Sequence, residues 1–373
     1  MLHVCSFLDC PWLPLPPSSS TDRLVERALN ASSDAVCVSN GDGGRLVTPA
    51  EAFVALVEHW ERWAACLGKH GLLLLEVSNL DVASTGRYKT EAVSMHFDAL
   101  QAHSGQLLTP AAHMSMAAAH AGLLPHGDVL TYPKDATYAR IVLQQLCPAQ
   151  LSIRLATPND VPQLLELEVH WKSAALAASE ATLRRRIAAH PAGQFAARSE
   201  DGALVGVLYT QRVVSHEALR GASVASELDL HMADGGTVQL LGLVTRPGSR
   251  VGARLRDFAL LLARLDATVD RVCGATRCRG YAASSGQQYD AYVAEAADPG
   301  LRFHCAAGAR LCEVLPDYRP RDVANLGNGV LICYELHAAG RDHGSPQPTP
   351  LDAASAPVAL AARSAPPMPA SSL

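Results

Sequence analysis

No stretch of the 373 residues approaches the roughly 20 consecutive apolar residues that a bilayer span requires; the longest candidates are broken by Glu76, Arg254 or Arg264. A membrane-spanning helix is not expected. The first residues, M-L-H-V-C-S-F-L-D-C-P-W, have no basic n-region and place Asp9 where a signal peptide would be apolar. The first arginine, Arg23, sits among acidic residues, against the pattern of a transit peptide. Cytoplasmic residence is the expectation. A broad basic excess is also lacking: the formal net charge is -5, so the short run Arg184–Arg186 does not by itself suggest nucleic-acid binding. The 10 cysteines include no C-x2-C knuckle. Cys273, Cys278, Cys305 and Cys312 are read as packing residues, because strand periodicity turns several of them into a core; buried, reduced thiols and no metal site are expected.

What is present is ample apolar content, 49%, in a chain long enough for two packed domains. Three zones differ in composition. Residues 1–148 are mixed α/β, with helical spacing from Ala50 to Leu67 after Thr48 and Pro49, a buried strand in H-G-L-L-L-L-E-V, and a second helix over His113–Ala121 ending at Gly122. Residues 149–338 alternate short strands and helices. From 339 to 373 the chain is rich in Pro, Ala and Ser and is predicted to be disordered.

In the middle zone the pattern predicts a strand at Leu151–Leu155, then helices from Thr157, Asn159 or Asp160 and over Ser179–His190. A hairpin turns at D-G between Gln194–Ala197 and Ala203–Val213. Strand Thr237–Val244, helix Ala253–Leu265, strand Arg271–Thr276, helix Gln287–Ala296 and strands Ala309–Leu315 and Gly329–Leu336 complete the order. Thr276, His304 and Arg319 each follow a β-rich run or a tight turn, so three different polar groups are expected where short strands end, able to meet in one pocket.

This α/β order, with L-E-L-E-V-H-W at 165–171, D-G-A-L-V-G-V-L-Y-T-Q-R at 201–212, A-T-R-C-R at 275–279, D-P-G-L-R-F-H at 298–304 and Y-R-P-R-D-V-A-N-L-G-N-G-V-L-I at 318–332, resembles the GNAT acyltransferase fold. Specifically it resembles the GNAT-like domains of polyketide synthase loading modules, which decarboxylate malonyl or methylmalonyl thioesters. The first zone, through W-x10-G-L-L-L-L-E, E-A-V-S-M-H-F-D-A-L-Q-A-H-S-G-Q-L-L and A-A-A-H-A-G-L-L-P, resembles the C-terminal half of a polyketide-synthase C-methyltransferase. No G-x-G-x-G follows an early strand, so this partial Rossmann-like remnant is read as a scaffold without an S-adenosylmethionine site.

The resemblance implies a catalytic pair, Thr276 and His304, with Trp171 and Arg319 as pocket residues. It implies no cofactor beyond the phosphopantetheine or coenzyme A thioester that carries the substrate. Acyl carrier protein and polyketide synthase subunits are the implied partners; no G-x-D-S-L carrier motif occurs here, so these are expected on other chains. A GNAT pyrophosphate loop of the form Q/R-x-x-G-x-G/A is represented by V-T-R-P-G-S-R-V-G, in which Gly252 takes the last glycine position, Arg250 falls where the preceding glycine should be, and Gly248 belongs to the same degenerate loop. Such a side chain obstructs close backbone approach, while Arg246, Arg250 and Arg254 supply compensating charge. Arg277 and Arg279 are expected to alternate outward and Arg184–Arg186 to form a solvated face; this run or the Arg246–Arg256 cluster could dock an acidic carrier protein. Acyl-coenzyme A dependent transfer and a non-catalytic adaptor are the alternative readings.

Overall fold

The computed structural model describes residues 3–6, 37–39, 45–47, 49–78, 80, 84, 109–134, 138–170, 176–282 and 286–336. The Thr48 cap, Trp171 and the predicted disorder after 338 lie outside the described residues. The first zone contains β1 (His3–Ser6), β2 (Cys37–Ser39), β3 (Arg45–Val47), α1 (Pro49–Cys66), β4 (Leu72–Val77), α2 (Ala111–His120), β5 (Leu123–Pro125), β6 (Leu130–Tyr132) and β7 (Ile141–Pro148). In the second follow β8 (Leu151–Leu155), α3 (Val161–Glu168), α4 (Glu180–Ala189), β9 (Gln194–Ser199), β10 (Leu204–Val213), β11 (Thr237–Thr245), α5 (Gly252–Leu265), β12 (Arg271–Thr276), α6 (Tyr289–Ala294), α7 (Pro299–Cys305), β13 (Arg310–Leu315) and β14 (Gly329–Glu335). Among the described residues no helix is long and apolar enough to cross a membrane.

Local chemistry sets the helix starts. Thr157 and Asp160 form a reciprocal capping box before α3, with the Thr157 N–H 2.7 Å from Asp160 Oδ2. Ser179 caps α4 by accepting from the Thr182 N–H at 3.2 Å. α7 was expected as the approach to a strand end, yet it is a helix. Asp298 caps it through the Gly300 N–H at 2.6 Å, and Pro299 occupies the first turn where no N–H is needed. His304 therefore stands on a helix rather than after a strand.

β1, β4, β7 and β5 form one sheet, in that order, with β6 also paired to β7; β1 and β4 run parallel. The second sheet runs β13-β14-β12-β11-β10-β9-β8, antiparallel except for β11 with β12. This is the mixed α/β GNAT-type fold that the order of elements predicted. β7 and β8 are separated by two residues, and one core extends across both sheets: Trp60, Leu72 and Met114 cluster with Ile153, Phe195, Leu255 and Phe258.

α5 explains the continuity of that core. Its sequence G-A-R-L-R-D-F-A-L-L-L-A-R-L is apolar on most sides, and a helix of that kind needs cover all round. One side packs on the second sheet, where Phe258 meets Phe195 edge-on at 5.9 Å. Leu261 and Leu265 pack instead with Ala111 of α2 and with Ala139 and Val142. Burying each such leucine contributes about 1.5–3 kcal/mol, so the first zone holds the helix whose N-terminus reaches the pocket.

α2 also bridges the sheets by hydrogen bonding, since His120 Nε2 accepts the Leu155 N–H at 3.1 Å. Burial holds His113 at about 4, and His120 and His190 at about 3, so all three are neutral in the folded chain. The unfolded chain protonates each near pH 6.5 and binds more protons in the window from about 6.5 down to about 4 for His113 and about 3 for His120 and His190. Stability is therefore complete above about pH 6.5 and is lost as the pH falls through that window. The urea midpoint is expected to decline steadily from pH 7 to 4.5; a flat profile would show that these rings are not buried neutral.

Candidate active site

The cavity arises where the second sheet comes apart. β11 pairs with β12 only from Thr237–Arg271 to Leu240–Gly274. A bulge then leaves Leu241 unpaired against β10, and β11 continues along β10 to Thr245 while β12 stays with β14. Bulges of this kind bend a strand and increase its twist. The resulting wedge exposes the edge of Gly242–Thr245 opposite Ala275 and Thr276, and its cavity is about 340 Å³.

Thr276, His304, Arg319 and Gly252 all line this cavity, so the sequence-predicted groups from three separate motifs do meet. Gly248 and Arg250 are not among its lining residues. Trp171 is outside the described residues, although its neighbour His170 is at the wall. The Arg250 backbone has φ 54°, the left-handed conformation that a glycine would adopt without cost. The loop thus holds an arginine in a conformation that favours glycine.

Much of the motif chemistry is scaffolding for Thr276. Arg277, expected to point outward, is buried and bidentate to Asp322, at 2.7 and 2.8 Å. The Cys278 N–H donates to Asn325 Oδ1 at 2.8 Å, and the Gly280 N–H to Asp298 Oδ2 at 2.7 Å. Asp298 is fully buried and joins the segment after β12 to the start of α7. Gly300 makes that approach possible, because a Cβ there would stand 2.7 Å from the Arg277 carbonyl oxygen. Three buried side chains thereby fix the backbone on which Thr276 ends.

Arg319 donates to the Ala275 carbonyl at 3.1 Å and lies 5.6 Å over the Tyr318 ring, while its buried Nε has no partner. Arg319 lines the cavity, so its guanidinium is placed to meet a carboxylate or carbonyl there. His304 Nδ1 is 2.6 Å from the Tyr334 hydroxyl. Burial, then Arg256 and Arg279, lower the His304 ring to about 4. A neutral imidazole can donate one hydrogen bond but has no second proton to give.

Arg256, Arg279, Tyr334 and His170 were not predicted as site residues. Arg256 was legible in principle: it is a charge on the buried face of α5, where it lies 4.3 Å over the Phe303 ring and donates to the Phe303 carbonyl. The predicted solvated face at 184–186 holds for Arg184 and Arg185, which are exposed, but not for Arg186. Arg184 pairs with Glu180 at 2.8 Å, Arg185 with Asp229, and buried Arg186 with Glu227 at 3.3 Å. Only Arg186 is withdrawn from the surface; Arg184 and Arg185 stay exposed in pairs that solvent screens. Cys66 and Cys312 are exposed, whereas Cys273, Cys278 and Cys333 are buried. Among the described residues no group of three His, Cys, Asp or Glu is placed to hold a metal.

Comparison with known proteins gives two results along the chain. Residues 1–144 match the model of the AprA MT2-like domain family. The GNAT-like decarboxylase GphF, solved in complex with isobutyryl-CoA, is 38% identical over 50% of this chain and 99% of its own, with a TM-score of 0.48. The loading GNATL domain of CurA from Lyngbya majuscula is 32% identical over 50% of this chain and 98% of its own, also at a TM-score of 0.48. No curated protein matches. With nearly the whole of both solved domains represented at these identities, the chain belongs to the GNAT-like decarboxylase family and carries that domain together with a methyltransferase-like region.

Proposed function

We propose that the protein decarboxylates a malonyl or methylmalonyl thioester, carried on acyl carrier protein or coenzyme A, to make the starter acyl group of a polyketide synthase. The observation that carries this reading is the convergence of Thr276, His304 and Arg319 on one wedge-shaped cavity. The bond from the α-carbon to the carboxylate breaks, and its electron pair moves into the thioester carbonyl to give an enolate. Carbon dioxide leaves, a proton from solvent adds at the α-carbon, and the acyl group stays on its thiol. His304 donates to the developing enolate oxygen, where a fixed donor lowers the barrier more than it stabilises the substrate. Thr276 and Arg319 hold the carboxylate or carbonyl so that the breaking bond stays aligned with the π-system.

The left-handed Arg250, the α5 N-terminus at Gly252 and the exposed Arg246 and Arg254 support retention of a phosphate-binding loop for the carrier arm. GphF was solved with a coenzyme A thioester, which favours the same class of carrier here. Residues 1–148 then act as a scaffold that covers α5, residues 149–338 as the catalytic domain, and 339–373 as a tail. Incubation with malonyl- and methylmalonyl-coenzyme A, analysed by chromatography, is expected to yield acetyl- and propionyl-coenzyme A without any amine or thiol acceptor. Stable malonyl esters with acyl transfer to an added acceptor would replace this reading with acyltransfer.

A further inference from the structure

We propose that Tyr334 is a positioning residue that fixes His304 in the tautomer bearing its proton on Nε2, so that an N–H rather than a lone pair is offered to the cavity. The inference rests on the decarboxylase reading for its catalytic consequence, but the tautomer itself does not.

Tyr334 lies on β14, and its side chain is buried at 3% exposure. Its hydroxyl stays protonated at neutral pH, because burial pushes it well above the usual phenol range. The hydroxyl proton therefore needs an acceptor, and the partner at hand is His304 Nδ1 at 2.6 Å. If the Tyr334 O–H donates, Nδ1 is the acceptor, and the neutral ring carries its proton on Nε2. In the reverse arrangement Nδ1–H donates to the tyrosine oxygen, which strands a buried hydroxyl proton and turns the Nε2 lone pair toward the place where enolate charge develops. Both consequences disfavour that arrangement.

The surroundings hold the ring against Tyr334. Phe303 meets it edge-on at 5.0 Å, and Tyr334 itself at 6.2 Å. Arg256 bonds to the Phe303 carbonyl and, with Arg279, opposes protonation of the ring, so neither nitrogen is charged at neutral pH. A neutral ring with Nδ1 occupied by a donor has one remaining role, that of an Nε2–H donor. Tyr334 touches no reacting atom and acts only through His304.

The test uses the full chain labelled with 15N-histidine, with His304→Asn to assign its ring signals. In the unmodified protein at pH 7 the His304 nitrogens are expected at the positions of a neutral ring protonated on Nε2. In Tyr334→Phe, which keeps the ring and loses the hydroxyl, the Nδ1 signal is expected to shift and the two tautomers to mix. kcat for carbon dioxide release should fall about 10- to 100-fold with KM little changed. A His304 ring protonated on Nδ1 in the unmodified protein would overturn the proposal whatever the variant does. So would a Tyr334→Phe protein with unchanged ring signals and unchanged kcat. If no thioester is decarboxylated at all, the functional reading fails, while the ring signals still decide the role of Tyr334.

Discussion

His304→Ala is expected to lower kcat for decarboxylation by about 10²- to 10³-fold, the effect of deleting one donor from a site that stabilises an oxyanion. KM should change little, because the donor is strengthened in the transition state rather than in the substrate complex. Thr276→Val keeps the shape of the residue and removes its hydroxyl; a loss of about 10²-fold is expected. The two groups serve one alignment, so the double variant should lose much less than the product of the single losses. Single-turnover rates with circular dichroism as a folding control would check this. A His304→Ala enzyme with full kcat would remove the ring from the mechanism. Because the ring sits at about 4, kcat is also expected to be level from pH 8 to pH 6 in the unmodified protein.

Asp322→Ala should be the most damaging change outside the cavity. It leaves the buried Arg277 guanidinium without its two charge-assisted bonds, and breaking one partner of a buried pair costs about 3–5 kcal/mol. Both side chains are nearly excluded from water, at 10% and 2% exposure, so solvent offers little rescue. The segments that end in Thr276 and begin at Arg319 are tied together by this pair, so activity should fall with stability. Arg184→Ala is the contrasting case. Its pair with Glu180 is exposed and one helical turn apart, so a loss of about 0.5 kcal/mol or less is expected. Denaturant midpoints for the two variants would separate the cases; equal losses would contradict the burial argument.

The elements whose hydrophobic pattern is local were readable in advance. β12 has the predicted bounds Arg271–Thr276, and the β9–β10 hairpin turns at the D-G pair, where Gly202 adopts φ 81°. The meeting of Thr276, His304 and Arg319 was also legible, through the resemblance of their motifs. The helix under His304 carried a readable signal in D-P-G, an Asp cap followed by Pro at the first turn, but it is only seven residues long and has no periodicity to reinforce it. Tyr334 was not readable, because β14 is buried on both faces and alternation there marks no inside. The partners of Arg185 and Arg186 lie 44 and 41 residues away, in a short 3-10 turn, Glu227–Leu230, that hydrophobic pattern does not announce. Arg277 is similar: it stands just past the end of β12, and its partner is a buried carboxylate in a loop 45 residues later.

The most direct test of the account is the intact mass of a malonylated acyl carrier protein after one turnover with this protein in heavy water. The account predicts loss of one carbon dioxide, gain of one deuterium on the acyl group, and an acyl chain still attached to the carrier, with both changes absent in the Thr276→Val, His304→Ala double variant. A malonyl carrier that survives unchanged with the folded protein, or one that loses its whole acyl group to an acceptor, would contradict it.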